Sequence, residues 1–142
     1  MIYTALTKQA MKFCYEAHKH QVDKSGLPYV LHPLHLAEQM PDELTSVTAL
    51  LHDVVEDTDY TLEDLKGMGY PDAVLDALAL LTHDRNTPYF TYVAGLKNNP
   101  IARAVKLADL RHNSDLSRLD TVDTKALERV AKYQKAIALL EG

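Results

Sequence analysis

The sequence predicts a single all-α domain. Apolar residues recur at three- and four-residue spacing along nearly all of the 142 residues, the repeat that places one stripe on a helix face. Valine and isoleucine never alternate with polar residues for long enough to make a strand. Prolines, glycines and capping residues divide the pattern into helix-length pieces, with no internal repeat, low-complexity tract or linker between them.

The first helix is expected from about Leu6 to Lys19, with Ala5, Ala10, Met11, Cys14, Tyr15 and His18 on its apolar face. Residues 23–28, Asp-Lys-Ser-Gly-Leu-Pro, interrupt that period and read as a loop. Pro33 suits the first turn of a second helix, where its missing amide proton is not needed, and Pro41 closes that helix after Met40. Asp42 or Thr45 can cap a third helix carrying Val47, Leu50, Leu51, Val54 and Val55. Thr61 and Asp64 form a capping-box pattern for a short fourth helix ended by Gly67 and Gly69. Pro71 opens a fifth helix to about Leu81, further helices start near Pro88 and Pro100, and the last covers roughly Thr124 to Leu140.

A chain of this length matches the roughly 100–200 residues of one domain, so residues 1–142 are read as a single unit. It can bury about two thirds of its unfolded surface and needs no disulfide or structural metal to fold. The single cysteine, Cys14, has no partner within the chain, which predicts a reducing, cytoplasmic setting. No run reaches the ~18–20 apolar residues of a membrane span, and Met1 to Leu6 lack a signal-peptide pattern. Fifteen basic against twenty acidic residues give a net charge of -5. That balance excludes a nucleic-acid backbone as the expected partner but leaves a small anionic substrate open, because a bound cation can invert the local field.

The segment Ala49-Leu50-Leu51-His52-Asp53-Val54-Val55-Glu56-Asp57-Thr58 carries the strongest chemical signal. An apolar run this long belongs in a core, yet four ionisable side chains follow it within six residues. On a continuous helix His52 lies one turn from Glu56, and Asp53 one turn from Asp57. Such a patch on a buried helix would cost several kcal/mol unless compensated. A divalent cation compensates it, since imidazole and carboxylate both ligate Mn, Fe, Zn or Ni. His32 before Pro33, and Asp109 at the end of Ala104-Val105-Lys106-Leu107-Ala108, are the candidates for further ligands. A second histidine–aspartate pair, His83-Asp84, lies among Arg85, Asn86 and Pro88 outside any apolar helix and reads as solvated or structural.

The order His32, His52-Asp53, Asp109 resembles the signature of the HD-domain metal-dependent phosphohydrolases. Ser25-Gly26-Leu27-Pro28-Tyr29-Val30-Leu31-His32-Pro33, the segment from Ala49 to Thr58, and Val105-Lys106-Leu107-Ala108-Asp109 resemble the hydrolase domain of the RelA/SpoT alarmone enzymes. Ala17-His18 and Gln21 match the same family's opening phrase, and the likeness runs from about Ala17 to Leu119. The short length is similar to that of the free-standing small alarmone hydrolases, including the metazoan SpoT homologues, and leaves no room for a synthetase domain.

That resemblance implies a compact HD-domain helical bundle in which His32, His52, Asp53 and Asp109 ligate one ion, most often Mn²⁺. It implies that Glu56 and Asp57 sit beside the metal and activate water. The implied reaction removes pyrophosphate from the 3′ position of guanosine tetra- or pentaphosphate, leaving GDP or GTP. Lys24, Ser25 and Asn113 match the family's substrate contacts. A small phosphorylated nucleotide is thus the expected partner, with neither nucleic acid nor membrane, and a homo-oligomer is compatible with the sequence.

Three positions depart from the family pattern. Asp23 stands where the family has a base-stacking arginine, Leu110 where it has an arginine after the metal aspartate, and Leu116 where it has a threonine. None touches the implied metal chemistry, and all touch base and phosphate recognition. The alternative is therefore an HD phosphohydrolase of another phosphorylated nucleotide, such as a nucleotide phosphatase or an NADPH 2′-phosphatase. A nucleotide-sensing module without activity would be expected to lose part of the ligand set or of the Glu56-Asp57 pair, and a structural helical protein would bind no metal and be indifferent to chelator. Lys106, Arg85 and Arg103 are candidates to hold distal phosphates. His18, His20, His35 and His112 carry no assigned role, Tyr29 is packing or pocket wall, and Met11, Met40 and Met68 read as packing.

Overall fold

Thr4 starts the first helix by accepting the Thr7 amide on its hydroxyl, while the Thr7 hydroxyl accepts the Thr4 amide. From there the computed structural model, which describes all 142 residues, runs through nine α-helices, one 3-10 turn and no strand beyond an isolated Val22–Pro28 bridge. The helices are α1 (Ala5–His18), α2 (Leu31–Glu38), α3 (Glu43–Leu51), α4 (Val54–Asp57), α5 (Leu62–Gly67), α6 (Asp72–Leu81), α7 (Tyr89–Ala94), α8 (Pro100–Asn113) and α9 (Thr124–Glu141). The 3-10 turn spans Leu116–Arg118.

The caps act where the sequence places them. The Asp42 carboxylate accepts the Thr45 amide, Thr61 and Asp64 form the reciprocal box, and Asp123 accepts the Ala126 amide. Pro100 occupies the first turn of α8 behind Asn99, which accepts the Ala102 amide. Gly69, at φ 92°, lets the chain leave α5 in the left-handed region that favours glycine.

Helix α3 is the hub. Every residue from Thr45 to Leu51 is buried, including Thr45, Ser46 and Thr48, whose hydroxyls donate to carbonyls one turn back in the chain. It packs against α1, α2, α6 and α8, and α8 in turn packs on α9. The loop after α1 folds back as a tight hairpin: Asp23 Oδ1 accepts the amides of Ser25 and Leu27, and Gly26 sits at φ 80°.

Three expectations need correction. The third helix does not continue through Val55: it ends at Leu51, and the chain breaks at Asp53 (φ -106°, ψ 2°) before α4. A continuous helix would have carried Glu56 into the core with His52, at a desolvation cost that nothing there repays. The break turns Glu56 and Asp57 outward, and both are exposed. Tyr15 and Met68 are also exposed rather than packed, at 55% and 38%.

Candidate functional site

Three helices converge on one point. His32 lies in the first turn of α2, His52 caps α3 and Asp109 lies near the end of α8. All three are buried, and their donor atoms lie within 4.8 Å of one another. His32 Nε2 is 2.9 Å from Asp109 Oδ1, and His52 Nε2 is 3.6 Å from the same oxygen. Asp53, in the break after α3, flanks this trio with Oδ2 3.0 Å from His52 Nε2.

The hydrogen bonds around the rings set what the cluster can hold. His52 Nδ1 lies 2.7 Å from the Ala49 carbonyl, which can only accept, so Nδ1 carries the proton and Nε2 presents a lone pair. That lone pair is buried, has no hydrogen-bond partner, and faces two carboxylates. A divalent cation resolves the conflict. Ligand atoms about 2.1 Å from one ion and at right angles lie roughly 3 Å apart, which the distances of 2.9, 3.0 and 3.6 Å bracket. His32 Nε2 faces the same point, which leaves His32 Nδ1 to donate to His112 Nδ1 at 2.7 Å. Burial, then the nearby Arg118 and the His32 and His35 rings, pushes His112 down to about 4, which keeps it neutral and able to accept.

Electrostatics agree. Burial, then the Asp109 carboxylate, pushes the Asp53 carboxyl well above the ordinary range. Burial also acts to raise Asp109, but Lys106, with Nζ 3.1 Å from Oδ2, and the His32 bond outweigh it and hold Asp109 well below that range. Two carboxylates at one place cannot both ionise without a counter-charge.

Around this centre stand further polar residues. The Tyr29 hydroxyl donates to Asp53 Oδ2. Lys106 is tied to Asp109 and lies 5.3 Å from the Tyr92 ring centre. Glu56 and Asp57 sit at the rim, near enough for both carboxylates to raise Asp53. Glu56 Oε1 accepts the His83 amide at 2.5 Å, and the His83 ring stacks on Tyr92, so the second histidine–aspartate pair is a brace. Cys14 is buried, its thiol pushed up to about 12 by burial and then by Asp53. Arg103 donates to the Leu140 carbonyl and so joins α8 to α9 instead of facing the cleft.

Beside His32 opens a cavity of about 320 Å³ lined by Lys24, Ser25, Asn113, Arg118, Arg129 and Tyr133, among others. Asn113 donates to Asp109 Oδ1 at 2.9 Å and accepts from Arg118 at 3.2 Å. The Ser25 hydroxyl donates to the Arg118 carbonyl at 2.8 Å. Arg118 reaches to within 4.0 Å of Asp23, so the acid that departs from the family pattern faces a cation contributed from the 3-10 turn. No spacing rule could have found Arg118, Arg129 or Tyr133, because they come from the far end of the chain.

No family model matches the chain. A guanosine-3′,5′-bis(diphosphate) 3′-pyrophosphohydrolase of Danio rerio is 32% identical over 145 residues, covering 92% of this chain and 79% of its own. The enzyme of that name from Aquifex aeolicus is 46% identical over 63 residues, or 42% of this chain. A GTP pyrophosphokinase of Streptomyces coelicolor is 34% identical over 137 residues, or 87% of this chain. The chain spans only 9% and 15% of the lengths of these two bacterial proteins. The solved structure of a metazoan ortholog of SpoT, described as hydrolyzing ppGpp, superposes with a TM-score of 0.80 over all of this chain and 89% of its own, at 24% identity. That likeness establishes the all-α fold.

Proposed function

The chain belongs to the guanosine-3′,5′-bis(diphosphate) 3′-pyrophosphohydrolase family, and from that premise we propose that it hydrolyses guanosine tetra- or pentaphosphate to GDP or GTP and pyrophosphate. The observation that carries this reading is the buried lone pair of His52 inside the His32–His52–Asp109 cluster, opening beside a cavity whose wall includes Lys24, Arg118 and Arg129. In this reading His32, His52, Asp53 and Asp109 hold one Mn²⁺. Such an ion supplies an acidified water and a counter-charge for phosphate oxygens.

The chain's own residues divide the remaining work. Glu56, braced through Oε1 by the His83 amide, has Oε2 free to take the proton of the attacking water. Asp57, its carboxyl raised by partial desolvation at the rim and then by Glu56, orients that water. Water oxygen adds to the phosphorus on the 3′ oxygen, that P–O bond breaks, and the 3′ oxygen takes up a proton. Lys24 and Ser25 contact the nucleotide from the hairpin. Asn113, fixed between Asp109 and Arg118, contacts it from the metal side.

The test is pyrophosphate release from guanosine tetraphosphate by the Mn²⁺-loaded protein beside a chelated control. GDP and pyrophosphate in equal amounts, lost on chelation, are expected. Bound metal without release overturns the alarmone assignment and, with Asp23 in the cleft, directs the search to other phosphorylated nucleotides.

A further inference from the structure

Helix α4 carries Glu56 and Asp57 but has only four residues, too few for a helix to hold its own direction. Where its carboxylates stand therefore depends on bonds from outside. His83 supplies one, to the Glu56 carboxylate. Another comes from Gln21, between α1 and the hairpin, whose Nε2 donates to the Asp57 carbonyl at 3.0 Å from 36 positions away. That carbonyl can only accept, so the amide nitrogen of Gln21 faces α4 and its Oε1 faces back to His18. His18 is 1% exposed, and burial holds it below the usual histidine range, so its ring is neutral. Its one proton is on Nδ1, which donates to Gln21 Oε1 at 2.8 Å. Nε2 is then a lone pair, buried without a partner. An apolar side chain would fill the same space without that cost, so the Nδ1 donor is what the histidine contributes.

The Gln21 backbone is held as well. Its amide donates to the His18 carbonyl at 2.9 Å, and its carbonyl accepts the Tyr29 amide at 3.0 Å. Tyr29 in turn donates through its hydroxyl to Asp53. The break between α3 and α4 is thus gripped at both ends, Asp53 by Tyr29 and Asp57 by Gln21, and the two grips are bonded to each other. We infer that Gln21, locked by the buried His18, is a positioning residue that sets Glu56 and Asp57 against the metal cluster. It touches neither ion nor substrate and acts only through the Asp57 carbonyl. The inference rests on the proposed hydrolase reading and adds to it that α1 fixes the water-activating pair.

The experiment uses the Mn²⁺-loaded protein and guanosine tetraphosphate. Gln21→Met keeps the length of the side chain and removes both of its bonds. It should lower kcat about 10- to 100-fold, with KM and Mn²⁺ affinity within about twofold of the wild type. His18→Asn places an amide donor where Nδ1 stands and should keep most of the rate. His18→Leu packs well but donates nothing, and should lose about 10-fold in kcat. Packing alone predicts the reverse order, because a buried amide without all its partners costs more than a buried leucine. Wild-type kcat in Gln21→Met, or a faster His18→Leu than His18→Asn, overturns the inference. So does a fall in Mn²⁺ affinity that matches the fall in rate, which would place the effect on the ligands. Hydrogen exchange at the Asp57 and Thr58 amides, which close α4 onto Asp53 and Val54, reads the same grip without turnover. It should quicken about 10-fold in Gln21→Met. If the wild type hydrolyses nothing, the hydrolase reading fails. Faster exchange in Gln21→Met then still upholds the grip on α4, and unchanged exchange overturns it. Should the His18 variants fail to fold by circular dichroism, Gln21→Met decides alone.

Discussion

With its Nδ1–H committed to the Ala49 carbonyl, His52 has one lone pair to give, and it is the only cluster ligand that α3 supplies. His52→Ala is therefore expected to abolish turnover and to weaken metal binding by more than the 10–100-fold typical of losing a ligand's hydrogen-bonded partner. Metal titration by calorimetry measures it, and an unchanged affinity would remove His52 from the site. Tyr29→Phe deletes only the hydroxyl that donates to Asp53 and should fall within that 10–100-fold range, with the fold intact by circular dichroism. Glu56→Ala should keep the metal and lose about 10²–10⁴ in rate, the ordinary worth of a positioned general base. Single-turnover rates at saturating metal check this, and full activity would assign the water to another carboxylate. The type and order of these residues are readable from the sequence because each sits in a short motif that resembles a known family's. Their partners are not, since His112 meets His32 from 80 residues away and His83 meets Glu56 from 27.

Element by element, α3 transmits fold stability to the site. Leu50 is 1% exposed, and Leu50→Ala should cost about 2–5 kcal/mol by urea unfolding through lost transfer energy and an unfilled cavity. Because His52 follows two residues later at the end of the same helix, metal affinity should fall with it; a destabilised variant with unchanged affinity would separate helix and site. At the other end, Asp42 caps α3, and hydrogen bonds from Thr45 hold its carboxyl below the ordinary 3.8. A carboxylate lowered in the folded state stabilises it fully above the unfolded value, and that contribution fades as pH falls through the folded one. Asp42→Ala should cost about 1 kcal/mol at neutral pH and less near pH 2, as thermal unfolding at the two pH values would show. Cap, capping box and helix-opening prolines are legible because a helix end is decided within four residues. The break at Asp53 is not, because the local pattern favours continuation and only the cost of burying Glu56 and Asp57 opposes it.

At the scale of the whole molecule, the cluster sits at helix ends whose apolar faces pack without it, so the metal-free chain is expected to fold. Metal at 100 times its dissociation constant should add about 2.7 kcal/mol and raise the melting temperature by several degrees. A melting temperature indifferent to chelator would argue that no cation is held. No helix is long and apolar enough to cross a membrane, which agrees with the hydropathy of the sequence. The sequence by itself determined the all-α class and eight of the nine helices, and it singled out His32, His52, Asp53 and Asp109 as candidate ligands with the Glu56-Asp57 pair beside them. Helix periodicity and capping are expressed over a few neighbouring residues, whereas the ligand set, spread from His32 to Asp109, is legible through the resemblance of its ordered motifs to those of a known family. Tertiary structure alone decided that His32, His52 and Asp109 form the tight trio with Asp53 at its flank, and that Glu56 is braced by His83. It also decided that Asp23 faces Arg118 and that the cations of α9 meet those of the hairpin. Those relations depend on how helices remote in sequence pack around α3, and burial and charge balance across the assembled core, rather than any local repeat, select that packing.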